Sequence, residues 1–336
     1  MEEDQGPVHA PEFPQNVTWL QGGPLRMSEL RGKPVLVDFW DYTCVNCIRT
    51  LPYVQEWHRR YVDLGLTVVG VHAPEFSFGR ESGNVQRAVR EHGITYPVVL
   101  DNEYAIWQAY ANRYRPAKYM IDAKGYIRGY HHGEGAYVQI EEALQALLRE
   151  PFPELLLPGV MAPVRDDDRP GAVCYRVTPE LYLGYARANF GNVEIDPDRV
   201  ATYADPGKHM DGAAYLAGDW LLASEYAARP AGATGESRIT IPYMAKDVNL
   251  VIHPPTYGGA ATISVTQDGA PIAADDAGAD VVTGGATSIA TVDAPKMYRL
   301  VANREIDRHE LTLSTMSDGV ALYAFTFTSC VMPEPA

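Results

Sequence analysis

The chain has 336 residues, of which 46% are apolar and 21% charged, and carries a net charge of −15. That length exceeds one typical domain, so two are expected. The acidity excludes non-specific nucleic-acid binding, which draws its affinity from basic side chains set against phosphates. Four cysteines are too few for a disulfide-built scaffold.

Taken in chain order, the opening MEEDQGPVHAPEFPQN is acidic and proline-bearing, with no apolar stretch to serve as a signal peptide. No apolar run anywhere reaches the ~18 residues of a membrane span. Short strand-like and helix-like runs then alternate: PVLVDFW (34–40), a helical stretch from 45 to 64, LTVVGVH (66–72), NVQRAVREHG (84–93), TYPVVL (95–100), EYAIWQAYANRY (103–114), AKYMID (117–122), GYIRGYH (125–131) and YVQIEEALQALLRE (137–150). This is a β-α-β series, and it sets the first domain at 1–150. Residues 151–172, with five prolines and an acidic triplet, read as an extended linker. From 173 to 336 the pattern is almost all strand: ESRITIP (236–242), VNLVIHP (248–254), ATISVTQDG (261–269), KMYRLV (296–301), HELTLST (309–315) and VALYAFTFTS (320–329). Strands with so little helix between them suggest an antiparallel sandwich.

The chemistry concentrates in DFWDYTCVNCIRTLP (38–52). A C-x-x-C serves as a redox dithiol, as half of a zinc site or as two buried small residues. Zinc usually needs a second Cys or His pair, and none lies near, so no metal is expected. With a strand ending at Trp40 and a helix beginning at or next to Cys44, that sulfur sits at the positive end of the helix dipole beside unpaired N–H groups, which favours its thiolate. Cys44 is therefore the expected nucleophile. Cys47, one turn further in, suits the resolving role. Pro52 falls inside the helical pattern and should bend it. Trp40 and Trp107 read as core aromatics. His72 and Glu75, in GVHAPEF, follow a strand that points toward the dithiol end of the sheet, so Glu75 either tunes the site or makes a loop contact.

These residues are similar to the thioredoxin superfamily, in which an acid precedes the first cysteine by six residues and a proline follows the second by five, as Asp38 and Pro52 do here. The TlpA-like branch is the nearer match, and within it the soluble C-terminal region of DipZ-type thiol:disulfide interchange proteins. The matching stretches are GGPLRMSELRGKPVLVDFWDYTCVNC, GVHAPEFSF (70–78), ITYPVVLDNEYAIWQAY (94–110), RYRPAKYMID (113–122) and HHGEGAY (131–137), followed by PELYLGYARANF (179–190), AGDW (217–220) and YAFTF (323–327). The resemblance implies an α/β thioredoxin-like domain, its central mixed sheet flanked by helices, and then an all-β jelly-roll-like sandwich akin to a carbohydrate-binding module.

Carried over by position, the resemblance makes Pro116 the cis-proline facing the dithiol and Asp38 the buried acid that exchanges a proton with Cys47. Arg115 stands where an aromatic residue is expected, and a cation there would lower the Cys44 pKa or favour acidic substrates. The dipeptide Val45-Asn46 is neither Gly-Pro nor Pro-His, so redox poise does not transfer. The function implied is a thiol:disulfide oxidoreductase without a cofactor, acting on protein disulfides or thiols as a reductant fed by a membrane electron-relay protein of the CcdA type. Its setting is extracytoplasmic if the chain is part of a DipZ-like protein; the lack of a signal peptide or membrane span in the residues as read keeps a cytoplasmic setting as the alternative.

Three further points follow. Cys174 and Cys330, where the second domain begins and ends, are candidates for a structural disulfide. Tyr182, Tyr185, Tyr203, Tyr215, Tyr226 and Tyr257 are candidates for a sugar-stacking platform, which supports a competing reading: a binding module that docks a glycan or protein partner, with the first domain as a scaffold. Peroxidase chemistry is disfavoured, because the Pro-x-x-x-Thr-x-x-Cys arrangement is absent and Thr43 directly precedes Cys44.

Overall fold

The computed structural model describes residues 8–192 and 194–331. The chain divides between Arg169 and Pro170 into two compact units.

The first unit is built on a six-stranded sheet. Its elements are β1 (Thr18–Gln21), β2 (Val35–Trp40), α1 (Val45–Tyr61), β3 (Thr67–His72), α2 (Ser82–Glu91), β4 (Val98–Leu100), α3 (Ala105–Ala109), β5 (Ala117–Ile121), β6 (Ile127–His132) and α4 (Tyr137–Arg149). The strand order is β1-β4-β3-β2-β5-β6. β2, β3 and β4 are parallel, β1 pairs antiparallel with β4, β5 with β2 and β6 with β5, which gives the expected mixed sheet. β2 is buried along its whole length, as a central strand covered on both faces must be. Alternation sends Val35, Val37 and Phe39 into one core with Val69, Val71, Val99, Ile106 and Tyr119. Leu36, Asp38 and Trp40 therefore share the opposite face.

Two stretches differ from expectation. The helix read over 103–114 is only Ala105–Ala109, bracketed by positive φ at Tyr104 and Ala111. Its first turn is held by the Asp101 carboxylate, which accepts from the N–H groups of Ile106 and Trp107 at 2.9 and 2.7 Å. The segment read as a linker is also more than a spacer, because through Arg169 it belongs to the first unit. Met161 N–H donates to Glu141, Val164 N–H donates to the Tyr53 hydroxyl, and that hydroxyl donates to Asp168 at 2.7 Å. Arg49 of α1 reaches Asp167 at 3.4 Å. These polar contacts fasten the acidic triplet to the helix that carries the cysteines.

The second unit is a large antiparallel β region, with eleven strands hydrogen-bonded into one network. The runs read as separate strands at 236–242 and 248–254 are one strand, Ser237–His253, and those at 296–301 and 309–315 are one strand, Lys296–Thr315. Bulges make this possible. Along the first strand Ile239, Ile241, Tyr243 and Ala245 face the core, and after the irregularity between Ala245 and Asp247 the inward set becomes Val248, Leu250 and Ile252. One extra residue shifts the alternation by one, so both halves of a long strand serve the same core.

Candidate active site

The site begins where β2 runs out. The Asp41-Tyr42-Thr43 turn is closed by Cys44 N–H donating to the Asp41 carbonyl at 3.2 Å and Thr43 N–H donating to the Asp41 carboxylate at 2.9 Å. Cys44 is then the N-cap of α1, and its sulfur accepts the Cys47 N–H at 3.2 Å. The capping sulfur thus accepts an orphan helix N–H at the positive end of the helix dipole. Both sulfurs are free thiols, Cys44 half-buried and Cys47 only 1% exposed. Burial, and then the hydrogen bond and charge of the adjacent Cys44, push the Cys47 thiol well above its ordinary range, against a backbone hydrogen bond at Asp41. The pair is thus asymmetric: an accessible capping sulfur and a buried, hard-to-ionise one. Pro52 lies inside α1 as expected.

The Arg115–Pro116 peptide bond is cis, and the Arg115 carbonyl oxygen lies 4.0 Å from the Cys44 sulfur. Asp38 is 1% exposed, and burial raises its pKa against the opposing pull of Lys118. The Lys118 ammonium lies 3.5 Å away and is itself fully buried. Trp40 is buried with its ring edge-on to His72, centroids 5.3 Å apart.

Glu75 and Arg115 meet at a residue the sequence reading passed over. The Asp41 carboxylate, also 1% exposed, accepts the Glu75 N–H at 2.6 Å and lies 3.6 Å from the Arg115 guanidinium and 3.5 Å from His72 Nε2. Burial alone would raise its pKa, but the bond and charge of His72, the Arg115 charge and the Thr43 N–H outweigh burial and bring it to about 2. Arg115 is also 3.9 Å from Glu75 and stands over the Trp107 ring at 5.3 Å. Arg115 therefore has two carboxylates, Asp41 and Glu75, as counter-charges. Asp41 and Lys118 carried a weak signal in the sequence: a second acid three residues after Asp38, and a lysine inside the apolar run AKYMID.

Cys174 and Cys330 are bonded, each in a two-residue strand paired with the other. Of the six tyrosines read as a candidate platform, Tyr203 and Tyr215 are buried, Tyr182, Tyr185 and Tyr226 are half-buried and Tyr257 is exposed. Among the described residues no cluster of three or more His, Cys, Asp or Glu is arranged to hold a metal, and no helix is long and apolar enough to cross a membrane.

Two family models match the chain: the AhpC/TSA family over residues 8–130 and the thioredoxin like C-terminal domain over 178–328. Protein DipZ of Mycobacterium tuberculosis is 34% identical over 325 residues, covering 95% of this chain and 42% of that protein. The chain thus spans less than half the length of this relative. Thiol-disulfide oxidoreductase YkuV of Bacillus subtilis is 32% identical over 140 residues, covering 42% of this chain and 94% of that one. A solution structure of a thioredoxin-like protein in the oxidized form matches 43% of this chain and 97% of its own at 32% identity, with a TM-score of 0.40.

Proposed function

We propose, from the family to which this chain belongs, the thioredoxin-like thiol-disulfide oxidoreductases, that Cys44 and Cys47 exchange a dithiol for a disulfide with protein substrates. The observation that carries the reading is the asymmetry of the pair: a half-exposed sulfur capping α1 and a buried partner three residues on. The Cys44 thiolate attacks one sulfur of a substrate disulfide, the substrate S–S bond breaks, and the leaving sulfur departs as a thiolate that takes up a proton. The resulting mixed disulfide holds the substrate against Pro116. Cys47 then gives up its proton, with Asp38 as the acceptor, and attacks the Cys44 sulfur. The Cys44–Cys47 bond forms, the second substrate thiol leaves, and two electrons have passed from protein to substrate.

The direction of flow we assign is reduction of substrates outside the cytoplasm, with electrons resupplied by a membrane relay of the CcdA type. Two observations support this setting: the similarity to DipZ runs along nearly the whole chain, and Cys174–Cys330 is a bond that persists in an oxidising compartment. The test is to equilibrate the full chain with glutathione buffers of defined ratio, following tryptophan fluorescence and thiol alkylation. We expect a reversible two-electron couple near or below roughly −250 mV. A couple above about −180 mV would instead make the protein an oxidant or isomerase. Absence of any couple would sink the redox reading in favour of a binding module.

A further inference from the structure

The exchange mechanism gives no task to Asp41, although few buried charges in the first unit are so heavily engaged. Its two carboxylate oxygens hold N–H groups from two different loops: Thr43, in the turn that carries Cys44, and Glu75, in the loop after β3. Its third partner, Arg115, belongs to yet another loop, and the Arg115 carbonyl oxygen is the atom set 4.0 Å from the Cys44 sulfur. Three loops separated widely in sequence therefore converge on one carboxylate beside the dithiol. A guanidinium does not deprotonate, so Arg115, with only 18% of its side chain exposed, needs a fixed counter-charge wherever it is held.

The two charges act on the dithiol with opposite signs. An anion near a thiol disfavours the thiolate, and a cation favours it. While both are present they offset one another, with Glu75 3.9 Å from the same guanidinium. We propose that Asp41 and Arg115 are a positioning pair: their contact fixes the loop before Pro116 against Cys44 and balances the field at the dithiol, so that removing either partner shifts the Cys44–Cys47 couple, in opposite directions. This rests on the redox reading above and deepens it.

The test uses the full chain at pH 7 in glutathione buffers, comparing wild type with Asp41→Asn, Arg115→Met, Arg115→Lys and the double variant Asp41→Asn/Arg115→Met. Asp41→Asn leaves Arg115 under-balanced, which stabilises anionic sulfur and the reduced form. The equilibrium constant with glutathione is expected to move roughly fivefold toward easier reduction, the size of one charge acting across a partly buried site. Arg115→Met leaves Asp41 under-balanced and should move the constant by a similar factor the other way. Arg115→Lys keeps the charge and should stay within about twofold of wild type, and the double variant should return toward wild type. Both single variants should also raise KM for a protein disulfide, because the loop before Pro116 loses its tether.

A role limited to holding the fold would push both single variants in the same direction, and that result overturns the proposal. A wild-type couple that neither variant moves overturns it too, while leaving the redox reading intact. If wild type shows no couple, both readings fall together. Should Asp41→Asn not fold, the contrast between Arg115→Met and Arg115→Lys decides, since only the charge-removing change should shift the constant.

Discussion

The two units of this chain bury different kinds of polar group, and they treat cysteine differently for the same reason. The first unit places Asp38, Asp41, His72, Asp101, Lys118, Asp122 and Glu141 out of solvent. In the second, the buried polar side chains among the described residues are threonine, serine and asparagine, with Arg229 the one charged exception. Buried charge is costly unless each group is answered by another, and in the first unit one such group, Asp41, sits in the turn that leads to the free dithiol. The second unit, with an interior of neutral groups and apolar strands, has its cysteines closed into a bond. One unit keeps buried, paired charges near its free dithiol, and the other has the composition of a scaffold.

Exchanging the cysteine pairs breaks this comparison most sharply. Cys44→Ser should reduce insulin-type disulfide reduction to background, and Cys47→Ser should retain the first attack and accumulate a one-to-one mixed disulfide visible by mass spectrometry. Replacing Cys174 and Cys330 together should leave turnover unchanged. Its cost should appear in stability instead: the bond closes a separation of 156 residues, so the chain-entropy limit is about 5 kcal/mol, read by urea denaturation with circular dichroism. Lost turnover in the Cys174/Cys330 variant would show that the two units are not divided as argued.

What the sequence made legible follows from how local each feature is. β2, the turn and the capping position of Cys44 were readable because alternation, a strand end and a helix start are all settled within 15 residues. Asp38 could be placed only through the resemblance, by its spacing of six residues before Cys44. The long strand Ser237–His253 was not readable as one element, because Lys246 and Asp247 look like a turn when the bulge that carries the strand through them is unseen. Asp41 was missed for a different reason. Its partners stand 34 and 74 positions away at Glu75 and Arg115, and nothing in DFWDYTC distinguishes an acid that will be buried by three loops from one that caps a turn.

Acid unfolding sharpens the contrast by about 2 kcal/mol. Asp41 titrates at about 2 in the folded chain against an ordinary 3.8, so its contribution is complete above the ordinary value and is lost as pH falls through about 2. Asp38 runs the other way: its raised pKa means that its contribution is largest in acid and is lost as pH rises through the folded value. Comparing wild type with Asp41→Asn cancels the Asp38 part. Between pH 5 and pH 2 the wild-type unfolding free energy should fall by about 2 kcal/mol more than that of the variant. Parallel pH curves would mean that the carboxylate is not held ionised by its surroundings.

The smallest effect should come from Glu75, and its smallness is informative. Two of its contacts bear on the pair: its N–H to Asp41 at 2.6 Å, and its carboxylate to Arg115 at 3.9 Å with about a fifth of the side chain exposed. Glu75→Gln removes only the second. A long, partly solvated ion pair is worth a fraction of a kcal/mol, so KM for a protein disulfide should change by about twofold and the glutathione equilibrium by less. A change above roughly fivefold would move Glu75 from the rim of the site to its centre. Arg115 would then take its counter-charge from Glu75 as much as from Asp41, and the proposed balance would rest on three charges rather than two.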